Sequence, residues 1–334
     1  MGSLAINVGK KLMFDNKGTV TIIVAAAMVA LIGFCSLVVD IGNLFLTRQR
    51  LNNALDAAVL AGVQELPGSP DEARDKAARC FTDNGMDMAS LTGVDISGDR
   101  RTITATGQAD VEFFLARVLG ITSSTVNCTS AARIDLLTSA TDLVPVGIKE
   151  PPPGQTLEPG REYDLKISAR DASHDDWYNY LGPGNCGLLD FPGGPRGKGS
   201  SEWREDFMEG YDGWLTMGDV IDTIPGNRSG PVKQVLDDRL NKAQDCNCYP
   251  DNYDRSCPRV VLVPVYVPVG EPGDDNKVRK VEITGFALVH LSNYVDNGQE
   301  SYIKAVLIGG FAEGESDPGT PSGDFGCYNI KLVK

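Results

Sequence analysis

Histidine is scarce in this chain, since His174 and His290 are the only two among its 334 residues. This scarcity limits imidazole metal sites and mechanisms that need a histidine base. The sequence also lacks the G-x-S-x-G nucleophile elbow, the H-E-x-x-H zinc helix and the G-x-x-x-x-G-K-[ST] phosphate loop. His290 lies in the apolar stretch ITGFALVHL, which is typical of a core or edge strand. We therefore expect no enzymatic activity, no catalytic residues, no metal and no cofactor.

Positive charge is also limited, because 31 Lys and Arg residues face 45 Asp and Glu residues and the net charge is −14. A nucleic-acid surface needs basic patches to neutralise phosphates, so we predict no nucleic-acid partner. The same balance argues against a domain that lies flat on anionic lipid. Self-repulsion that keeps a surface domain soluble is the preferred interpretation of the negative charge.

Charge is absent altogether from residues 19–39, which read TVTIIVAAAMVALIGFCSLVV. As a helix these 21 residues extend about 31 Å, which matches the hydrocarbon core of a bilayer. A secretory signal has a shorter apolar region and a small-x-small cleavage site, and no such site follows Val39. The sequence therefore predicts an uncleaved membrane span through which residues 19–39 contact lipid.

Lysine and arginine residues on the two sides of the span predict its orientation. Three lysines precede it and two arginines closely follow it, namely Lys10, Lys11, Lys17, Arg48 and Arg50. The positive-inside rule then places residues 1–18 in the cytoplasm. We expect a single-pass protein of the cell membrane whose C-terminal domains are extracytoplasmic or at the cell surface.

An Ala-rich continuation of the span, LTRQRLNNALDAAVLAGVQEL, contains no proline and predicts one helical rod over residues 19–66. Pro67-Gly68-Ser69-Pro70 ends it. One apolar stripe follows helical spacing along the rod: Leu44, Leu51, Leu55, Ala58 and Gly62. Its small residues would let another helix approach closely. Two alternatives stay open, since the stripe could pack on the protein's own first domain or on a partner helix.

The remaining sequence predicts two α+β regions, a small module over residues 67–138 and a larger β-rich domain over residues 139–334. The module has predicted helices at Asp71–Phe81 and Phe113–Leu119 and strands at Val94–Ser97, Thr102–Val111 and Ser124–Ile134. The larger domain has predicted helices at Ser201–Tyr211 and from Ser229, with Gly-rich loops LGPGNCG and FPGGPRGKG. Its predicted strands are Leu143–Ile148, Tyr163–Ala169, Val260–Val267, Val281–Leu291, Tyr302–Phe311 and Tyr328–Val333, the central ones buried on both faces.

Cysteine placement supports an oxidising location for these regions. Seven cysteines follow Cys35 of the span, and we treat them as disulfide candidates: Cys80, Cys128, Cys186, Cys246, Cys248, Cys257 and Cys327. A Cys80–Cys128 bridge would join the first helix of the module to its last strand. Zinc is the alternative for Cys246, Cys248 and Cys257, but it would have to recruit a fourth ligand, so disulfides are preferred.

The run from Asp15 to Leu66 resembles the N-terminal segment of the TadE/TadG-like proteins of bacterial tight-adherence (Flp-type) pilus systems. The resemblance rests on Gly18 before the apolar run, on VVDIG at its end, and on R-x-x-L-x-x-x-x-D-A-A-x-L-A-G from Arg48 to Gly62. More loosely, GNCGLLDF, DTIPGNRSGPV and RVVLVPVYVP resemble the C-terminal region of such proteins. The resemblance implies a membrane-anchored, surface-exposed component of pilus assembly without enzymatic activity, whose partners include other pilus assembly or pilin-like helices.

The resemblance also implies cleavage by a prepilin peptidase between Gly18 and Thr19. The fifth residue after that bond is Ile23, whereas a typical pilin has Glu there.

The alternative function is an adhesin-like binding module on a single-span anchor, in which loops between Asn179 and Ser200 contact an outside ligand.

Overall fold

A computed structural model of the chain describes residues 16–166, 185–192, 202–225, 229–244, 246–270, 278–296, 301–317 and 323–333. The chain divides into two compact units. The first contains residues up to Ala132 together with Leu332–Lys334, and the second is Arg133–Lys331. Helices and strands occur in both units, so the predicted α+β class is confirmed.

A single long helix, α1, extends over Asn16–Gly62 and continues into a short 3-10 turn at Val63–Glu65. Its 47 residues give a length of about 70 Å. The helix is uninterrupted because the segment is rich in Ala, Leu and other helix formers and contains no proline. It ends just before Pro67, which disfavours helical geometry at the residue preceding it. The predicted continuation of the apolar span into an Ala-rich rod is confirmed.

The rest of the first unit forms a small α+β layer beside the C-terminal half of α1. Helix α2 begins with a proline in its first turn. Strand β2 has β1 as an antiparallel neighbour on one side and β3 on the other. The elements are α2 (Pro70–Asp83), a 3-10 turn at Met88–Ser90, β1 (Leu91–Ile96), β2 (Thr102–Glu112), a 3-10 turn at Ala116–Leu119 and β3 (Ser123–Leu136).

The apolar stripe of α1 packs onto this layer. Leu51, Leu55 and Ala58 are fully buried. Gly107 of β2 faces the first two, and a Cβ at Gly107 would lie 3.0 Å from a Leu51 methyl group. The structure thus decides between the two alternatives for the stripe: from residue 51 onward it belongs to the core of its own unit.

The second unit is built around a long sheet that is antiparallel except for β5, which pairs with β10 in parallel. Its path runs β5-β10-β11-β12-β6, with β9 also paired to β11 and β7 paired to β9. Two further short strands pair with β4, and β13 pairs in parallel with β15. The strands are β4 (Ser139–Ala140), β5 (Ile148–Lys149), β6 (Glu162–Lys166), β7 (Asn185–Asp190), β8 (Leu215–Thr216), β9 (Val220–Pro225), β10 (Val260–Val269), β11 (Lys280–Asp296), β12 (Ser301–Leu307), β13 (Gly310–Phe311), β14 (Gly314–Glu315) and β15 (Cys327–Val333).

Both faces of the central strands are buried. Val261, Val263 and Val265 of β10 belong to one hydrophobic core, and Val260 and Leu262 belong to another. Successive side chains of a strand point to opposite faces, so the two cores lie on opposite sides of the sheet. Helices α3 (Glu202–Glu209) and α4 (Ser229–Lys242) contribute to the first core. The prediction that the central strands are buried on both faces is confirmed.

Three local predictions differ from the structure. Phe113–Leu119 forms only a four-residue 3-10 turn, which ends at Gly120 in the left-handed conformation. In the predicted strand Leu143–Ile148, Leu143 and Val146 form isolated bridges, and a regular strand begins only at Ile148. The loop predicted around LGPGNCG enters strand β7 at Asn185. Most of the loop FPGGPRGKG lies outside the described residues.

Candidate functional site

The N-terminal half of α1 exposes its apolar side chains on all sides. Val29 is 72% exposed, Phe34 69% and Val38 71%. No part of the most apolar window of the helix is buried, and its mean hydropathy is 2.8. Eleven Val, Ile, Leu and Phe residues in 19–39 would favour membrane insertion by about 3 to 7 kcal/mol together. The helix is therefore long and apolar enough to cross a membrane.

Asp40, the first charged residue after this run, is only 3% exposed. Its carboxylate accepts three backbone hydrogen bonds, from the N–H of Phe114 at 2.9 Å, of Leu115 at 3.2 Å and of Ala116 at 2.8 Å. Three N–H donors favour the ionised form of the carboxylate. The carboxylate in turn provides an acceptor for amides that have no partner within their own helical turn. Asp40 therefore ties the loop after β2 to α1 at the point where the apolar run ends.

Only a short turn forms within Phe113–Leu119. Asp40 accepts from the amides that precede and open this turn, as a capping side chain does, and the turn stops at Gly120, whose φ is +83°. Sequence reasoning missed the role of Asp40, because a charged residue at the end of a span is expected to face water. The only local sequence signal that this loop is unusual is the pair of apolar residues Phe114 and Leu115, which a four-residue turn cannot bury.

Between the span and the buried stripe, α1 keeps an apolar surface of its own. Ile41, Phe45 and Leu46 are each more than half exposed. From Leu51 onward the stripe is buried, and Asp56 on the same stretch of helix accepts a hydrogen bond from the Ser130 hydroxyl of β3 at 2.5 Å. A contact with another helix would therefore use residues at or before Leu46 and not the buried stripe.

Cys80 and Cys128 of the first unit do not form the predicted bridge. Cys80 Sγ donates to the carbonyl oxygen of Ala57 at 3.4 Å, and Cys128 Sγ lies 3.9 Å from that of Arg48. Those carbonyls are nine residues apart on α1, about 13 Å along its axis. A disulfide needs sulfurs about 2 Å apart, so the structure does not support a Cys80–Cys128 bridge.

The cysteines of the second unit are closer to one another. Cys248 and Cys257 are buried and share a hydrogen bond, while Cys246 is exposed. Burial raises the pKa of Cys248 to about 11 and that of Cys327 to about 12. No disulfide and no His, Cys, Asp or Glu cluster suited to a metal ion occurs among the described residues. The side chain of Cys186 lies outside the described part of the chain.

A cleft of about 860 Å³ lies in the second unit, between the end of α3, α4 and the Asp254–Pro258 segment. Arg239 lines it and donates to the carbonyl oxygens of Pro258 at 2.6 Å, Met208 at 3.1 Å and Phe207. Burial lowers the pKa of Arg239 to about 10, which leaves it charged at neutral pH. Lys242, also in the cleft, pairs with Glu209 at 3.0 Å. Arg239 thus joins α4 to the end of α3 and to Pro258, whereas the Lys242–Glu209 pair is solvent-exposed.

His290 is buried in β11, as expected for a core residue. Neither ring nitrogen makes a hydrogen bond of standard geometry within the described structure, although the Cys248 backbone lies close to the ring. Burial lowers the pKa of His290; the Cys248 backbone opposes this shift, and the charge of Arg259 adds to it. His174 lies outside the described residues. Gly18 and Thr19, the predicted cleavage pair, lie in the first turn of α1.

Comparison with known protein families gives one match. Residues 18–65 match the model of the family described as putative Flp pilus-assembly TadE/G-like. The predicted resemblance is therefore confirmed over this segment, which coincides with α1 and the 3-10 turn that follows it. No curated protein and no solved structure matches the chain significantly. The family match connects the chain with Flp pilus assembly through its long N-terminal apolar helix.

Proposed function

We propose that this chain is a single-pass, membrane-anchored component of Flp-type pilus assembly that presents its folded units outside the cytoplasm and catalyses no reaction. The observation that carries the proposal is the division of α1 into two environments. Residues up to Leu46 expose apolar side chains, whereas Leu51, Leu55 and Ala58 are fully buried in an α+β unit. One continuous helix thus joins a membrane anchor to a folded unit.

The environments of Arg239 and His290 support a structural role for this protein. Arg239 is occupied by three backbone carbonyls, and His290 lies in a core. The exposed apolar surface at Ile41, Phe45 and Leu46 is suited to another membrane helix, such as a pilin-like segment. The three lysines before the span and the two arginines after it favour a cytoplasmic N-terminus.

Membrane attachment and orientation can be tested on the full chain in its host cells. We expect the protein to stay in the membrane pellet after alkaline carbonate extraction. A membrane-impermeant maleimide should modify the exposed Cys246 in intact spheroplasts but should not modify an introduced Ser3→Cys thiol until the membrane is permeabilised. The reverse labelling order would contradict the orientation, and release by carbonate would contradict the anchor.

The role in pilus assembly needs a separate test. Deletion of the gene should abolish or strongly reduce surface pili, and the intact chain should restore them. A deletion strain that assembles normal pili but loses surface attachment would instead support the adhesin-like module, whose proposed contact loops between Asn179 and Ser200 lie mostly outside the described residues.

Processing at the Gly18–Thr19 bond remains part of this proposal. Mass spectrometry of the mature N-terminus measures it directly. A start at Thr19 would indicate prepilin-type cleavage despite Ile23 and would favour a subunit that enters the filament. An N-terminus that retains Lys10, Lys11 and Lys17 would favour a permanent anchor with an assembly or display role.

A further inference from the structure

The loop after β2 carries an unusual amount of exposed apolar surface. Phe114 is 70% exposed, Leu115 40% and Ile121 52%. Outside α1, the other exposed large hydrophobic residues among the described residues of the first unit are Met88, Leu332 and Val333. Three of six such side chains therefore fall within eight consecutive positions of this loop.

The position of this loop is fixed by Asp40. The backbone nitrogens of Phe114, Leu115 and Ala116 lie within 3.2 Å of its carboxylate oxygens. Asp40 directly follows the 21-residue apolar run, whose length matches the hydrocarbon core. The headgroup region beyond that core is about 5–8 Å thick on each side. The tie therefore holds the loop at the depth of the headgroups.

We propose that the loop Phe113–Thr122 is seated in the interfacial layer of the membrane that α1 spans, with Phe114, Leu115 and Ile121 contacting lipid. The inference rests on the proposed membrane anchor and adds a second lipid contact to it. This contact places the first unit against the bilayer surface. The loop and α1 together then restrict the rotation of the unit about its anchor.

The chemistry of the loop favours lipid through apolar burial and not through charge. Its one basic residue, Arg117, pairs with Glu112 at 2.6 Å, so the pair presents little net charge to anionic headgroups. Large apolar side chains at the boundary of headgroups and acyl chains are typical of interfacial segments. A few apolar residues inserted in this way are compatible with a chain whose net charge of −14 argues against broad contact with anionic lipid.

Photocrosslinking in the membrane-embedded full chain tests the proposal. p-Benzoylphenylalanine replaces Phe114 in the loop, Phe34 in the span or Met88 in the turn before β1, and adducts are identified by mass spectrometry. Ser90 of that turn faces Gly107 beside Leu51, which lies eleven residues beyond Asp40 on α1, about 16 Å further from the span. All three native side chains are more than half exposed, so they form a matched set. We expect phospholipid adducts at positions 34 and 114 and none at 88.

Each other outcome has a definite meaning. Lipid adducts at 34 but not at 114 would overturn the loop proposal and leave the membrane anchor intact. Protein adducts alone at 114 would assign the patch to a partner helix and would also overturn it. Absence of lipid adducts at 34 would overturn the anchor itself.

The tie to Asp40 can be tested in the same format. Asp40→Ala should abolish the lipid adduct at 114 and leave the adduct at 34 unchanged, because the loop amides lose their acceptor while the span is unaltered. Asp40→Asn, which keeps one acceptor oxygen, should retain part of the adduct. Full retention with Asp40→Ala would show that the carboxylate does not position the loop.

Discussion

Gly62 allows the sharpest test of how α1 is built into its unit. It is the last residue of α1, and a Cβ added there would lie 2.6 Å from the carbonyl oxygen of Ala73, 2.7 Å from Ile103 Cδ1 and 3.0 Å from Ala77 Cβ. Ordinary contacts of a Cβ begin near 3.4 Å, so Gly62→Ala requires movements of about 0.4–0.8 Å. The Ile103 methyl can rotate away, but the Ala73 carbonyl belongs to the backbone of α2.

Overpacking of this kind costs about 1–3 kcal/mol. Alanine also favours helix by up to about 1 kcal/mol relative to glycine, and this gain is smaller at a helix end. We therefore expect Gly62→Ala to destabilise the packing of α1 on α2 by roughly 1–2 kcal/mol net. Gly42 of the same helix is the matched control, because nothing lies within 4 Å of a Cβ there. Gly42→Ala should be neutral or stabilising by about 0.5–1 kcal/mol.

Hydrogen–deuterium exchange of the detergent-solubilised full chain measures the difference, because the amides of α2 report local opening of this contact. Their opening equilibrium should rise about 5- to 30-fold in Gly62→Ala, since 1.4 kcal/mol corresponds to a factor of ten. It should not rise in Gly42→Ala. Equal exchange in the two variants would refute the close approach of α1 and α2 at Gly62.

Two further predictions concern the second unit. Native alkylation by N-ethylmaleimide near pH 7.5 should modify Cys246 first, whereas Cys248 and Cys327 should react only after denaturation, because they are buried and their pKa values are raised to about 11 and about 12. If Cys248 and Cys257 react after denaturation only when a reductant is added, these neighbouring thiols are oxidised to a disulfide in the cell. The stability of the unit should also fall as pH decreases below about 6.5, because the native pKa of His290 is lowered and the unfolded chain then binds the extra proton. His290→Phe should reduce the slope of unfolding free energy between pH 7 and pH 5, and an unchanged slope would contradict the assignment.

Much of the architecture could be predicted because its signals are local. The length and composition of residues 19–39 indicate a span, and the Ala-rich continuation without proline indicates a rod. The Val-rich stretch that became β10 is buried on both faces, as a continuous apolar run predicts. Strands β7 and β9 were missed because their sequences, NCGLLD and VIDTIP, are short and broken by Gly or polar residues. Pairing in the folded sheet stabilises them, since β9 pairs with β11 and β7 pairs with β9.

Two predictions about the candidate site depended on distances in the folded chain and could not be made from local signals. The predicted Cys80–Cys128 bridge failed because sequence spacing does not report distance, and the two thiols contact carbonyls two and a half turns apart on α1. The choice between self-packing and partner-packing for the Leu51 stripe could not be made from periodicity, which is the same in both cases.

Residues 18–65 by themselves determined that this protein has a helix long and apolar enough to cross a membrane, within a segment similar to the Flp pilus-assembly TadE/G-like family, because this capacity depends on the length and composition of one continuous segment. Only the tertiary structure decided what Asp40 does at the end of that segment. Its three partners lie 74 to 76 residues further along the chain, and no local pattern specifies hydrogen bonds over such a separation. The fold of the first unit brings those amides to the carboxylate and so positions the loop beside the end of the apolar run.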